Sequence, residues 1–435
     1  MTMKERLLPC SSDPIQTAAA LCARSDRPHL LYEAAGAVSW AEGERVVVDV
    51  RADHISCSHS EAGPVRHPVI THPLAAAGRA LGDLIRPGDR VYGWVTFELG
   101  AENATGSLAR LVLPEREIRF DDESVLLRAE DEAALDLLEK ELAESIAENR
   151  TVSGERALIE IDSDHQAADY LAAVTTAVAA IQQGRLDKVI LSRTVPVPGN
   201  LDLAATYLAG RRGNTPARSF LLRLGGWEAA GFSPEIIARI DTEGVVVTQP
   251  LAGTRALSGD AADDRLLRDG LRRDPKEVFE HAISVRLAAD ELAGMCAPDT
   301  VRVSEFMSVK ERGSVQHLAS EVSGDLLPGT TSWDALAALF PAVTASGIPK
   351  AAARQLIAAA ETERGLYSGA VLTADADGTL DAALVLRTAF RRNGRTWLRA
   401  GAGIVSHSTP DRELEETREK LASVARFLVA AQADS

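Results

Sequence analysis

Four apolar runs, "SFLLRL" (219–224), "WEAAGF" (227–232), "IIARI" (236–240) and "VVVTQPL" (245–251), follow one another with connections of two, three and four residues. A connection that returns a strand parallel to its neighbour needs a dozen or more residues, so runs this closely spaced lie antiparallel. A helix over 168–183 and the strand "KVILSRTVPV" (188–197) precede them, and further strands are expected at 301–309, 366–373, 381–390 and 397–405. Two long helices, about 276–295 and 410–431, bracket these later strands. The order is not a regular βαβ alternation, and it predicts an α/β protein with large antiparallel or mixed sheets.

The first 150 residues mix strand-like runs, "RVVVDVRA" (45–52) and "RVYGWVTFEL" (90–99), with the helical "HPLAAAGRALGDL" (72–84). "DEAALDLLEKELAESIAENR" (131–150) has apolar residues at helical spacing and an acidic surface, and reads as a connecting helix. In "DHISCSHS", His54 and His59 flank Cys57; no second cluster completes a tetrahedral ligand set, so the segment is expected to be a loop with incidental polar groups. With 63 acidic residues against 47 basic, a net charge of −16 and no long basic block, the chain offers phosphates no track, and nucleic acid is excluded as a partner. Cys10, Cys22, Cys57 and Cys296 form neither a CxxC pair nor a zinc-type cluster, which suits a reducing cytoplasm. The opening "MTMKERLLPCSS" lacks a secretory apolar core, and no run reaches the roughly 20 apolar residues of a membrane span, so a soluble intracellular protein with no membrane partner is expected.

Carboxylates recur at one spacing. Glu277 and Glu280 in "KEVFEHAISVR" are three apart, as are Glu413 and Glu416 in "RELEETREK", so each pair shares one face of a helix. Facing pairs would make a hard-oxygen site suited to Mg²⁺. A solvated charged face, with Glu416 paired to Lys420 four residues on, is the competing account. A di-iron centre would need Glu-x-x-His, whereas His281 directly follows Glu280.

Other candidate groups stand at strand ends and in turns. Lys188 opens an otherwise apolar strand, Glu235 follows "GFSP", Arg387 interrupts "DAALVLRTAF", and the small residues of "RAGAGIV" (399–405) permit close backbone approach. In "VTQPLAGTR" (247–255) a strand is expected to end in a small-residue turn at Ala252, Gly253 and Thr254.

Taken in order, "DKVILSR", "GFSPE", "PLAGTRA", "KEVFEH", "SVQHL", "FPAVTASGIPK", "RGLYSGAV", "LRAGAG" and "RELEETREKL" resemble the chorismate-utilising enzymes, among them the anthranilate, aminodeoxychorismate, isochorismate and salicylate synthases. The resemblance runs from about residue 165 to the C-terminus. It implies a single large α/β domain of two stacked, mostly antiparallel sheets surrounded by helices, with residues 1–155 an N-terminal subregion of that domain and 156–435 the chorismate-binding catalytic region. Mg²⁺ is the implied cofactor, held by Glu280 and Glu416, with Glu277 and Glu413 in support directly or through water. Where aminodeoxychorismate synthases place a nucleophilic lysine this chain has Ala252, and the aminating members lack a lysine at the place of Lys188, so the implied nucleophile is water. Lys188, near Mg²⁺ and other positive charge, is then the general base for attack at ring carbon 2, and Glu235 the general acid for the departing C4 hydroxyl. Lys420 and the Gly403 amide would add positive character near the ring carboxylate; Tyr367 and Arg387 resemble the anchors of the enolpyruvyl carboxylate. Thr254, His317 and Thr344 would line the pocket, although His317 is equally explained as a satisfied core histidine. "FPAVTASGIPK" and "RGLYSGA" look like the salicylate synthases, which convert chorismate through isochorismate to salicylate and pyruvate, as for a siderophore. Gln249 departs from that likeness, standing where some of them carry an acid. The alternatives are an isochorismate synthase without lyase activity, an aminating synthase, and a non-catalytic Mg²⁺-binding protein. A monomer with no glutaminase subunit is expected.

Overall fold

The structure, a computed structural model, describes residues 3–10, 12–59, 62–69, 72–99, 101, 104–148, 156–313 and 315–432. Its strands form two sheets, and the pairs within each are antiparallel. An eleven-stranded sheet runs in the order Lys4–Pro9, Ser124–Ala129, Arg116–Phe120, Ala37–Glu42, His29–Ala34, Arg218–Leu224, Trp227–Ser233, Thr388–Arg392, Arg395–Ile404, Lys188–Pro196 and Gly347–Ile348. A twelve-stranded sheet runs Leu251–Ala256, Val315–Asp325, Val245–Thr248, Ile236–Ile240, Leu380–Leu384, Ala370–Asp375, Arg90–Val95, Ala109–Leu113, Val46–Val50, His54–His59 and Ala62–Pro68, with Arg302–Arg312 also paired to Val315–Asp325.

Apolar side chains from both sheets meet in the layer between them, among them Leu30, Phe220 and Phe390 from one and Trp94 and Val371 from the other. A sheet buried on both faces needs cover outside as well. Helices Pro73–Gly82, Pro275–Ala293 and Ser332–Leu339 cover the twelve-stranded sheet through Leu74, Val285 and Leu336. Helices Pro14–Arg24, Glu132–Glu148, Leu203–Gly213 and Pro410–Ala425 do the same for the other sheet through Leu21, Leu138, Tyr207 and Leu421. No helix of the described residues is long and apolar enough to cross a membrane.

Several expectations need correction. Residues 381–390 are two strands in different sheets, not one. "LAGTRA" does not end a strand; it is the strand Leu251–Ala256, with a bulge between Ala252 and Thr254. The last long helix stops at Ala425. His54–His59 is a strand, so His54 and His59, an odd number of residues apart, point to opposite faces and cannot share a metal, while Cys57 enters the core. The helix expected over 131–150 covers a sheet as Glu132–Glu148; its last two residues, and the division at 155/156, lie outside the described residues.

Candidate active site

The chain crosses between the sheets twice beside one cavity. Trp227–Ser233 lies in one sheet and Ile236–Ile240 in the other, with Pro234 and Glu235 between them. Leu380–Leu384 and Thr388–Arg392 are divided in the same way, and Arg387 stands in that crossing with φ +50°. The crossings hold each other: the Leu384 N–H donates to the Glu235 carbonyl at 3.1 Å, and the Phe232 N–H to the Arg387 carbonyl at 3.1 Å. A left-handed arginine costs about 1–3 kcal/mol and persists only where its surroundings over-determine it. Here the bend turns the guanidinium into the gap between the sheets, where it lines the cavity.

Glu235 and Thr344 line the same cavity, and the Thr344 hydroxyl donates to the Glu235 carboxyl group. Burial raises Glu235 to about 8, against the pull of Thr344 and Lys188, so it carries a proton at neutral pH. His317 lines the cavity rather than filling the core; its Nδ1 lies 3.2 Å from the Thr254 hydroxyl and 3.1 Å from the Gly253 carbonyl, and its Nε2 meets Arg387. Burial, then Arg387 and Lys420, hold His317 well below the ordinary imidazole range, and the ring is neutral. Arg387 also donates to the Arg312 carbonyl at 3.2 Å, and among the described residues no carboxylate pairs with it. A buried guanidinium without a counter-ion is a receptor for an anion. Tyr367 also lines the cavity, its ring 5.5 Å from the Arg399 guanidinium and 5.7 Å from that of Arg364. Ala252 lies in the wall, whereas Gln249 does not.

The glutamates converge beside the same cavity. Glu280 and Glu416 reach the cavity, and Glu277 and Glu413 stand behind them. Asp274 caps the first helix by accepting from the Lys276 and Glu277 amides at 2.9 and 3.4 Å. Arg255 then fixes Glu277 at 3.0 Å and Asp274 at 2.6 Å. Two glycines make room: at Gly253, φ +77°, a Cβ would lie 2.9 Å from Glu277 Oε2, and at Gly403 it would overlap the Glu280 carboxylate. Lys420 donates to the Gly401 carbonyl and pairs with Glu416, each at 2.8 Å. Lys188 does not line the cavity. Fully buried, it lies 3.0 Å from Glu280 and donates to the Ser284 hydroxyl at 2.9 Å, so its nearest charge is a carboxylate and not the positive neighbour expected.

One residue of this cluster was not singled out in the sequence. The Lys276 ammonium lies 3.3 Å from Glu413, 3.4 Å from Glu280, 3.6 Å from Glu277 and 3.8 Å from Glu416. Its position before Glu277 and four residues before Glu280 was a visible signal. Oε2 of Glu277, both carboxylate oxygens of Glu413 and Oε2 of Glu416 are buried without a hydrogen-bond donor. Buried oxygens in that number, all hard donors, fit a divalent cation of the Mg²⁺ type. With the ammonium among them, no three His, Cys, Asp or Glu side chains of the described residues are already disposed for a metal.

The model of the family described as chorismate binding enzyme matches residues 27–426. A salicylate synthase of Mycolicibacterium paratuberculosis is 44% identical over 98% of this chain and 96% of its own. An anthranilate synthase component 1 of Acetivibrio thermocellus is 33% identical over 60% of this chain and 53% of its own. Among solved structures, anthranilate synthase component I of Streptococcus pneumoniae aligns with a TM-score of 0.73 at 25% identity, covering 90% of this chain and 92% of its own. The menaquinone-specific isochorismate synthase of Escherichia coli aligns with a TM-score of 0.71 at 22% identity, over 98% and 94%, and that likeness shows the fold alone.

Proposed function

The chain belongs to the chorismate binding enzymes, and from that premise we propose how its cavity works as a salicylate synthase, converting chorismate through isochorismate to salicylate and pyruvate. One observation carries the chemistry: a carboxyl group kept protonated, Glu235, shares one cavity with an anion receptor, Arg387, and with two members of a carboxylate cluster, Glu280 and Glu416. A hydroxyl group departs easily only if it is protonated as it leaves, and Glu235 holds that proton for the C4 hydroxyl. Arg387 and Tyr367 bind the enolpyruvyl carboxylate, and Thr254, His317 and Thr344 set the orientation between them. Lys188, as the free amine, takes the proton of the water that attacks ring carbon 2; to do so it must part from Glu280, which lines the cavity where Lys188 does not. Ala252 leaves room for water and offers no amine. Glu280 and Glu416, supported by Glu277 and Glu413, hold Mg²⁺, which neutralises the ring carboxylate when bound. Lys420 and the Gly403 amide add positive character on the same side, and Gly403 also leaves the space that lets Glu280 approach. The loss of pyruvate from isochorismate is an intramolecular hydrogen shift, which asks the site for positioning and no further acid or base.

Residues 156–435 hold every group assigned a part, and residues 1–155 serve as structural completion of both sheets. Since all these groups come from one chain, we take it to act as a monomer without a glutaminase subunit. Free thiols at Cys10, Cys22, Cys57 and Cys296 support a reducing, cytoplasmic setting, and salicylate made there suits a siderophore or another aryl-capped product. The test is to incubate the protein with chorismate and Mg²⁺, without glutamine, and to separate the products by chromatography. Salicylate and pyruvate in equal amounts are expected. Isochorismate as the end product would leave an isochorismate synthase, and anthranilate formed on adding ammonia would overturn the assignment of water.

A further inference from the structure

Lys276 does not belong to the proposed chemistry, yet it holds the centre of the carboxylate cluster. Its ammonium is within 4 Å of all four glutamates, and among the described residues it is the one cation that pairs with both helices' glutamates at once. Lys188 and Lys420, by contrast, each approach a single glutamate, at 3.0 and 2.8 Å. Four carboxylates buried this closely repel one another, and a single flexible cation lowers that cost. The geometry is that of an ion pair and not of ligation: neither Lys276 Nζ nor either oxygen of Glu413 finds a well-aligned hydrogen-bond partner. A held ammonium of this kind is easily given up to a cation of higher charge.

We propose that Lys276 is a displaceable counter-cation that occupies the carboxylate cluster in the metal-free chain and sets the affinity with which Mg²⁺ enters. This rests on the reading that the four glutamates hold Mg²⁺. Lys188 and Lys420 each stand to one side of the cluster, whereas Lys276 fills the point between the two pairs that a cation bound by both would take, so each Mg²⁺ that enters drives the Lys276 ammonium out. The exit is built in. Lys276 sits in the first turn of the helix Pro275–Ala293, its side chain 12% exposed, so the stem starts at the rim and swings outward with no change to the helix. The lysine thereby acts as a positioning residue for the metal-free state, keeping the pairs on the two helices together until metal arrives.

Two measurements decide it, with Mg²⁺ alone as the probe. Calorimetric titration of the wild-type chain tests the underlying reading, for a chain that takes up no Mg²⁺ overturns both. Removing a unit charge from within 4 Å of the site predicts binding at least about tenfold tighter in Lys276→Met, whose side chain keeps the length and loses the charge. The metal-free variant should melt lower than wild type, and the Mg²⁺-loaded variant should not. Lysine acetylation of the wild-type chain, read by peptide mass, needs no variant to fold: Lys276 labelling should rise about tenfold or more on adding Mg²⁺, as a buried amine becomes exposed, while Lys140, 72% exposed, is labelled equally in both states. Wild-type uptake of Mg²⁺ with unchanged Lys276 labelling, or equal or weaker binding by Lys276→Met, overturns the displacement and leaves the Mg²⁺ site standing.

Discussion

Glu235 owes its role to burial, and that makes its role dependent on pH. With its folded value raised to about 8, the carboxyl group donates a proton below that pH and not above it, so turnover should fall as pH rises through about 8. Glu235→Gln should lower turnover by about 10²–10⁴ and remove that limb of the pH–rate profile. Stability follows the same group. The folded chain binds this proton more tightly than the unfolded chain, where the ordinary value is 4.5, so its contribution is complete below about 4.5 and is lost as pH rises through about 8. Glu235→Gln should flatten the melting temperature across that window, as thermal scans at several pH values would show. Lys188→Ala should stop isochorismate formation from chorismate by a similar factor, whereas isochorismate supplied directly should still yield pyruvate. Ala252 makes the sharpest test, because it lines the cavity on a bulged strand. An Ala252→Lys side chain would enter a site that already holds Lys420, and crowded like charges keep one amine neutral and nucleophilic. Salicylate output should drop and intact-protein mass should show an adduct of chorismate; unchanged turnover with no adduct would mean that this wall does not face the reacting carbon.

At the scale of elements, the site depends on close approaches made possible by missing side chains. Gly403, in the strand Arg395–Ile404, leaves the space that the Glu280 carboxylate fills from the helix Pro275–Ala293. Gly403→Ala should push Glu280 aside, cost about 1–3 kcal/mol by overpacking and reduce turnover about a hundredfold, measured by unfolding and by product formation. Motif order makes the glutamate pairs, Glu235, Arg387, Tyr367 and the "PLAGT" wall legible in the sequence. Helical spacing told which face Glu277 and Glu280 share, but not what stands opposite, and so Lys276 at the centre of the cluster went unseen. Arg387 shows the same limit in a strand: "DAALVLRTAF" reads as one apolar run, because nothing in hydrophobic patterning marks the residue at which a strand leaves one sheet for another. The sequence reads as a turn at Gly253 for the same reason, since a glycine permits a turn or a bulge and the pairing with Val315–Asp325 decides.

The molecule as a whole is less divisible than its motif map. Every diagnostic motif lies beyond residue 165, yet His29–Ala34 pairs with Arg218–Leu224 and Arg90–Val95 with Ala370–Asp375. A fragment of residues 156–435 would retain all the proposed catalytic groups and expose a long open edge on each sheet. It should therefore give no cooperative thermal transition and no turnover, a result that circular dichroism and the salicylate assay would establish together. The interleaving also orders events in time. As the chain leaves the ribosome, Val95 must wait for Ala370, and the edge beside it is complete only when most of the protein has been made. Synthesis of this enzyme thus passes through a long interval in which nascent strands lack their partners. In that interval, exposed apolar surface and unpaired strand edges are open to aggregation, a hazard that ends only when the late strands arrive.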